Sequence, residues 1–269
     1  MFTTRCLSLI EPWVLSVNRG LASGWHMVHL GALLLVVSLS PSTYTSGNRA
    51  TISRHLYGST TSAMPWFTTM TALISLVLIR VVVVTAHSYG LSQYALEMVV
   101  RVLVLELIPL SAAMFVALRS NLLSEDSLDL KSSFRLRPPR SGLTVIGPTL
   151  TELQSTWVPR VLASTFAVLT LAAVSSLTAL VLAYLSVHGF SPWGLPGFTR
   201  TVGHVFDLTV TLGFGLKTFF FSLAVAIVPL AASLEVRDRK STNTLQPGLV
   251  RLFLVLLCIE AASLSVKYI

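Results

Sequence analysis

Among the ionisable side chains inside long apolar runs of this 269-residue chain, six stand out: Arg80, Glu97, Arg101, Glu106, Lys217 and Glu260. On insertion scales a charge at a lipid-exposed helix centre costs at least about 2.5 kcal/mol. These six are therefore expected to face protein, a cavity or the membrane interface. Glu97 and Arg101 stand four residues apart, on one helix face, and can pair. Glu106 lies deeper and has no intrahelical partner of opposite sign, so Arg80 or Lys217 could meet it from a neighbouring helix. Two roles are open to such a set. The groups line a substrate route or gate, or they form interhelical ion pairs and snorkelling ends. Arg80, Glu97 and Arg101 lean to the second role, Glu106 and Lys217 to the first, and Glu260 fits either.

Other chemistry has no foothold in the sequence. No G-x-x-x-x-G-K-[ST] string occurs, and the nearest, GFGLKT at 213–218, has the wrong spacing and lies in an apolar run. No HExxH, G-x-S-x-G or Cys/His cluster is present, and the six histidines are scattered. Cys6 and Cys258 read as free thiols, with no disulfide framework and no metal site. Energy for any active process must come from a partner or an ion gradient.

The elements that must position the six charges are membrane helices. Hydrophobic residues make up 53% of the chain and charged residues 11%, against about 25% charged in a soluble domain. The mean hydropathy is +0.76. A helix needs about 20 apolar residues to span a bilayer. Five segments reach that length: 63–85, 95–118, 161–187, 208–234 and 249–266. The expected fold is thus an all-α integral membrane protein with about five transmembrane helices. A sixth stretch, 21–39, has a short apolar core weakened by Gly20, Ser23, Gly24, Trp25 and His26. It is expected to be a helix lying at the membrane surface, or entering it only partly, rather than a full span. No cleaved signal peptide is expected, since the first strongly apolar run starts late, near His29.

The net charge of +8 does not point to nucleic acid, because the charges sit in short loops between apolar runs. Their distribution orients the chain instead. Arg5, Arg19, Arg49 and Arg54 precede the first span. Lys131, Arg135, Arg137, Arg140 and Arg160 lie between the second and third, and Arg237, Arg239 and Lys240 between the fourth and fifth. The other side has only Arg200 and Lys267. The expected orientation places the N-terminus and both basic loops in the cytoplasm and the C-terminus outside. Small residues four apart, Ala163 and Ala167, Ala172 and Ser176, Thr209 and Gly213, permit close helix packing.

The order of features resembles one family, the MlaE-type (YrbE-type) permeases, which are membrane subunits of ABC lipid transporters that work with MCE-domain proteins. The resemblance covers roughly Ser53 to Ile269. RHLYGSTTSAMPWFTTMTALISLVLI resembles the family's approach to its first span, with Pro65 at the start. VLELIPLSAAMFVALR resembles its R-E-L-G-P stretch ending in G-R: Glu106, Leu107, Pro109 and Arg119 match, while Leu105 and Ile108 replace Arg and Gly. VPRVLA, with Pro159 and Arg160, matches the string that opens the third span. GLKTFFFSLAVAI carries Lys217 and Phe221 in place, and LVRLFLVLLCIEAASL has Glu260 where the family often has an acid. Two family motifs are missing, namely E-[EQ]-I-D-A-L in the loop between spans two and three, and Y-Q-G near the end of the fourth span, where Ala231, Ala232 and Ser233 stand. The chain resembles a divergent member.

The resemblance implies an N-terminal cytoplasmic or interfacial segment, 1–62, followed by a five-helix permease domain, 63–269, in the bacterial inner membrane. It also implies a set of partners: a membrane lipid, a separate ABC ATPase, an MCE-domain protein and a second permease copy, with no cofactor in this chain because ATP is hydrolysed by the partner. The loop 123–152 sits where the family places its ATPase-coupling helix. Its charged residues Glu125, Asp126, Asp129, Arg135, Arg137, Arg140 and Glu152 are the candidates for that contact. A short helix capped by a Ser or Asp of Ser124–Leu130 is expected there, with acids in its first turn, and Pro138 and Pro139 break any helix in the middle of the loop. A membrane-embedded lipid-modifying enzyme would need a His, Asp or Glu cluster at one face, and none is visible. An ion-coupled carrier usually shows repeated halves with broken helices, which are not seen.

Overall fold

A computed structural model of the chain describes residues 31–32, 36, 57–58, 60–133, 158–238 and 247–268; side chains at 93, 121–133, 230–238, 247 and 267–268 are not described. The interfacial helix expected at 21–39 and the loop residues Arg135, Arg137, Arg140 and Glu152 lie largely or wholly outside these residues. The described elements are helical. They are α1 (Met64–Ser88), α2 (Ser92–Val99), a π-helical stretch (Val100–Leu107) running into α3 (Ile108–Ser133), α4 (Val158–His188), a short turn (Pro192–Gly194), α5 (Leu195–Val205), α6 (Leu208–Asp238) and α7 (Pro247–Tyr268).

Five stretches are long and apolar enough to cross a bilayer: span 1, Met64–Ser88; span 2, Tyr94–Ser120; span 3, Val158–His188; span 4, Leu208–Pro229; span 5, Gly248–Val266. A helix is the natural form here because it satisfies each backbone N–H and C=O internally where lipid offers no partner. Hydroxyls inside the spans turn back onto their own helix for the same reason. Thr68 donates to the Met64 carbonyl at 2.6 Å, Thr178 to Val174 at 2.8 Å and Thr218 to Phe214 at 2.7 Å. Pro65 and Pro159 fall in first turns, where the missing amide hydrogen costs nothing.

The spans alternate in direction, as the core clusters show. At one end Phe67, Ala113, Ala117, Val168, Leu171, Phe221, Val225, Leu252 and Leu256 pack together. These come from the first halves of spans 1, 3 and 5 and the second halves of spans 2 and 4. At the other end Ile79 meets Leu96, Val99, Leu103, Ala179 and Ala183. Two turns close this second end. Each contains a glycine with positive φ, Gly90 at +70° and Gly189 at +64°, a conformation that would strain a residue bearing Cβ. Span 2 is the most enclosed, with 56% of its apolar window buried, and span 5 the least, with 11%. Large apolar side chains on the outer faces, such as Leu73, Val77, Leu177, Val181 and Leu212, are exposed. In water they would form a patch far beyond what a soluble monomer tolerates; in a bilayer they face lipid.

Ala163, Ala167, Ala172 and Ser176 are buried against neighbouring helices, as their spacing suggested, whereas Thr209 and Gly213 stay exposed. Nor does a separate helix begin at Ser124. The helix that opens at Ile108 continues without a break to Ser133, because past Pro109, in its first turn, no Pro or Gly follows to stop it. Ser124 is thus an interior residue rather than a cap, and Glu125, Asp126 and Asp129 lie on the extension of span 2.

Candidate functional site

Span 2 changes its winding where the chemistry gathers. Over Val100–Leu107 it is π-helical, and Ile108 N–H bonds the Leu103 carbonyl, five residues back. Such stretches recur at functional sites because they turn side chains and carbonyls out of the regular pattern. Here three successive residues, Leu103, Val104 and Leu105, are buried at once. Leu103 and Val104 face spans 1 and 3, while Leu105 packs with Val205 and Phe214 on the other side. Pro109 follows directly. Having no amide hydrogen, it cannot return the usual bond to the Leu105 carbonyl.

Glu106, twelve residues after Tyr94 and fourteen before Ser120, sits at mid-span. Its carboxylate pairs with the Lys217 ammonium of span 4. Glu260 of span 5 reaches the same ammonium, its Oε2 lying 2.7 Å from Nζ as an ion pair without hydrogen-bond alignment. Lys217 Nζ also donates to the Leu105 carbonyl at 3.5 Å and stands 5.6 Å from the centre of the Phe221 ring, a cation–π distance. Lys217 is almost wholly buried, its side chain 3% exposed, and the two carboxylates are 17% and 14% exposed. One cation is therefore held by three helices at the middle of the bundle. Of the two partners the sequence left open for Glu106, the structure selects Lys217. It adds Glu260, which sequence reasoning had not joined to the pair.

Of the six, the other three do not join this cluster. Glu97 and Arg101 form their own pair at 2.7 Å, with side chains 34% and 45% exposed. Arg80 is exposed on the outer face of span 1. Pro159 is buried at the start of span 3 and Arg160 exposed beside it. Arg119, near the end of span 2, donates to the hydroxyl of Ser62 just ahead of span 1, a tie that the sequence did not suggest. Pro109, four residues past Leu105, was the available signal for the freed carbonyl; the π-helical stretch left no mark in the composition.

A shallow apolar groove of about 250 Å³ runs between spans 2 and 5, lined by Met114, Ala117, Leu118, Leu249, Val250 and Phe253. Among the described residues no three His, Cys, Asp or Glu side chains gather as metal ligands. The site is a buried, charge-paired junction between helices. It can lock spans 2, 4 and 5 in register, or open when a charged group competes for Lys217.

Comparison with known proteins agrees with this architecture. No curated protein matches the chain. The model of a family described as Permease MlaE matches residues 52–122 and 148–263. The matched blocks contain spans 1 to 4 and most of span 5, together with Glu106, Lys217 and Glu260. The interruption at 123–147 covers the end of α3 and the residues after it, the region from which the family's coupling motif is missing. The matched blocks make up more than half of the chain, and together with its five apolar helices they show that it is a multi-pass membrane protein belonging to the MlaE permease family.

Proposed function

We propose that this chain is the permease subunit of an ABC-type lipid transporter of the bacterial inner membrane, moving a phospholipid or a related hydrophobic molecule. The observation that carries the reading is the family match across both halves of the bundle, with a buried three-helix charge cluster at its centre. Glu106, Lys217 and Glu260 hold the helices that would part to admit lipid, and the exposed pair Glu97–Arg101 and Arg80 meet headgroups nearer the interface. A second permease copy completes the lipid route, since the groove between spans 2 and 5 is smaller than most pockets that enclose a drug-sized ligand. ATP is hydrolysed by a separate ATPase, contacted through the extension of span 2 bearing Glu125, Asp126 and Asp129 and through the basic loop beyond it, with Arg135, Arg137, Arg140 and Glu152. An MCE-domain protein passes lipid on the opposite side.

Affinity purification of the tagged chain from its native membrane, in mild detergent, tests this reading. The expected result is an ATPase with a phosphate-binding loop and an MCE-domain protein in stoichiometric amounts. Recovery of the chain alone, under conditions that preserve its dimer, would argue for an ion-coupled carrier or a membrane enzyme instead.

A further inference from the structure

The connection between spans 3 and 4 carries two large apolar side chains that are almost fully exposed, Phe190 at 95% and Trp193 at 91%. They are not left out for want of a folded turn. Tyr184, near the end of span 3, donates from its hydroxyl to the Ser191 carbonyl. Its ring stacks on His188, with centroids 5.4 Å apart, and meets Phe198 of α5 edge-on at 5.1 Å. Gly194 packs so closely on His188 that a Cβ there would come within 2.3 Å of the imidazole. The turn is thus folded back onto the end of span 3. Trp193, next to Gly194, is held at the level of that last helical turn instead of projecting beyond it.

The other end of α5 is fixed at a similar depth. Phe198, Val202 and Val205 pack on the bundle, Val205 in one cluster with Val100 and Leu105 of span 2. Leu208 opens span 4 directly after α5 and lies nine residues before Lys217 of the mid-span cluster, about 14 Å along a helix rising 1.5 Å per residue. Half the hydrocarbon core of a bilayer is about 15 Å. α5 therefore lies at the boundary between acyl chains and headgroups.

Its outward face suits that level. Gly197, Arg200 and His204 share one face by helical spacing, with Trp193 in the turn just ahead, and all four are exposed. Val187 at the end of span 3 and Leu208 and Leu212 at the start of span 4 are exposed too, so the lipid-facing surface of both spans continues into the connection. Tyr89 and Tyr94, also exposed, stand at the same end of the bundle. Aromatic rings concentrate at this depth because they are apolar in body and polar at the edge. Arg200 adds a cation with the geometry for phosphate.

We propose that the segment from Phe190 to Val205 is a lipid-anchoring surface. Phe190 and Trp193 insert between headgroups of the outer leaflet, and Arg200 binds the phosphate of an anionic lipid. The occupant of this face is the bilayer, not a docked protein. The proposal rests on the membrane-spanning fold and holds whether or not the chain transports lipid.

Tryptophan fluorescence of the full chain in nanodiscs of phosphatidylcholine and phosphatidylglycerol tests it. The difference between the parent and Trp193→Phe isolates Trp193, and the change keeps a ring in the exposed turn. A nitroxide near the lipid headgroup should quench that difference signal at least about two-fold more than one near the chain end, and aqueous iodide should quench it weakly. Nitroxide on phosphatidylglycerol should quench more than nitroxide on phosphatidylcholine, and Arg200→Gln should remove this preference. Strong iodide quenching without lipid quenching would place Trp193 in water and overturn the proposal. Shielding from both quenchers, in the chain alone or in the assembly copurified from the native membrane, would mean that a protein covers the turn and would overturn it equally. A lipid preference unchanged in Arg200→Gln would overturn the phosphate contact.

Discussion

The Leu105 carbonyl lies 3.5 Å from the Lys217 ammonium, and Pro109, four residues on, has no amide hydrogen with which to claim it. This relationship predicts an unusual outcome for Pro109→Ala. In a helix interior Ala is favoured over Pro by about 3 kcal/mol. A hydrogen bond to a charged group contributes about 1.5–3 kcal/mol. If the proline serves to release the carbonyl for Lys217, the two effects offset, and thermal unfolding in detergent should change by less than about 1 kcal/mol. Stabilisation by the full propensity difference would show that the Leu105 contact contributes nothing.

Substitutions in the cluster should follow an order set by what each leaves behind. Lys217→Met strands two carboxyl groups and should destabilise most, by about 3–5 kcal/mol, the range for breaking a buried pair. Glu106→Gln and Glu260→Gln each leave Lys217 with one carboxylate and should cost less. The triple variant Glu106→Gln, Lys217→Met, Glu260→Gln carries no charge and should recover assembly relative to Lys217→Met. Fluorescence-detected size exclusion after heating ranks the four. A triple variant no better than Lys217→Met would contradict the pairing.

Glu97→Gln provides the contrast. Its partner Arg101 is 45% exposed, so the freed guanidinium can extend to the interface. Exposed pairs contribute about 0–1 kcal/mol, and the variant should melt within that margin of the parent. A loss as large as that of Lys217→Met would mean that Glu97 and Arg101 are enclosed in the assembled protein.

Single cysteines placed on a background lacking Cys6 and Cys258 test the topology. Ser62 and Ser191 are both exposed, at opposite ends of the bundle. The lysine and arginine bias places Ser62 in the cytoplasm. An impermeant thiol reagent added to intact cells should label Ser191→Cys and not Ser62→Cys. Labelling of both, or of Ser62→Cys alone, would reverse or break the assigned orientation.

Much of this architecture was legible because lipid imposes a length rule. Runs such as 63–85 and 208–234 could be read as spans directly, and their boundaries differ from the observed helices mainly where a helix continues past the apolar core, as α6 does to Asp238. The extension of α3 to Ser133 was missed for the same reason. A capping pattern at Ser124 signals a helix start only where something upstream has ended the previous helix. The pairing of Glu106 with Lys217 was one of two options, since burial cost demands a partner without naming it. Glu260 escaped because sequence spacing within one helix says nothing about which face meets a residue more than forty positions away. The π-helical stretch was invisible for a related reason. It is a change of backbone register driven by packing on both sides of span 2, and no single residue type announces it.

The central claim is that the Glu106–Lys217–Glu260 cluster lies on the working path of a lipid permease. The most direct measurement is ATP-dependent transfer of a labelled phospholipid by the assembly copurified with this chain and reconstituted in proteoliposomes, comparing the parent with the charge-free triple variant at equal assembly. The account predicts ATP-dependent transfer by the parent and at least a ten-fold loss in the triple variant. Transfer by the triple variant at the parent's rate would contradict it and reduce the cluster to a structural clamp.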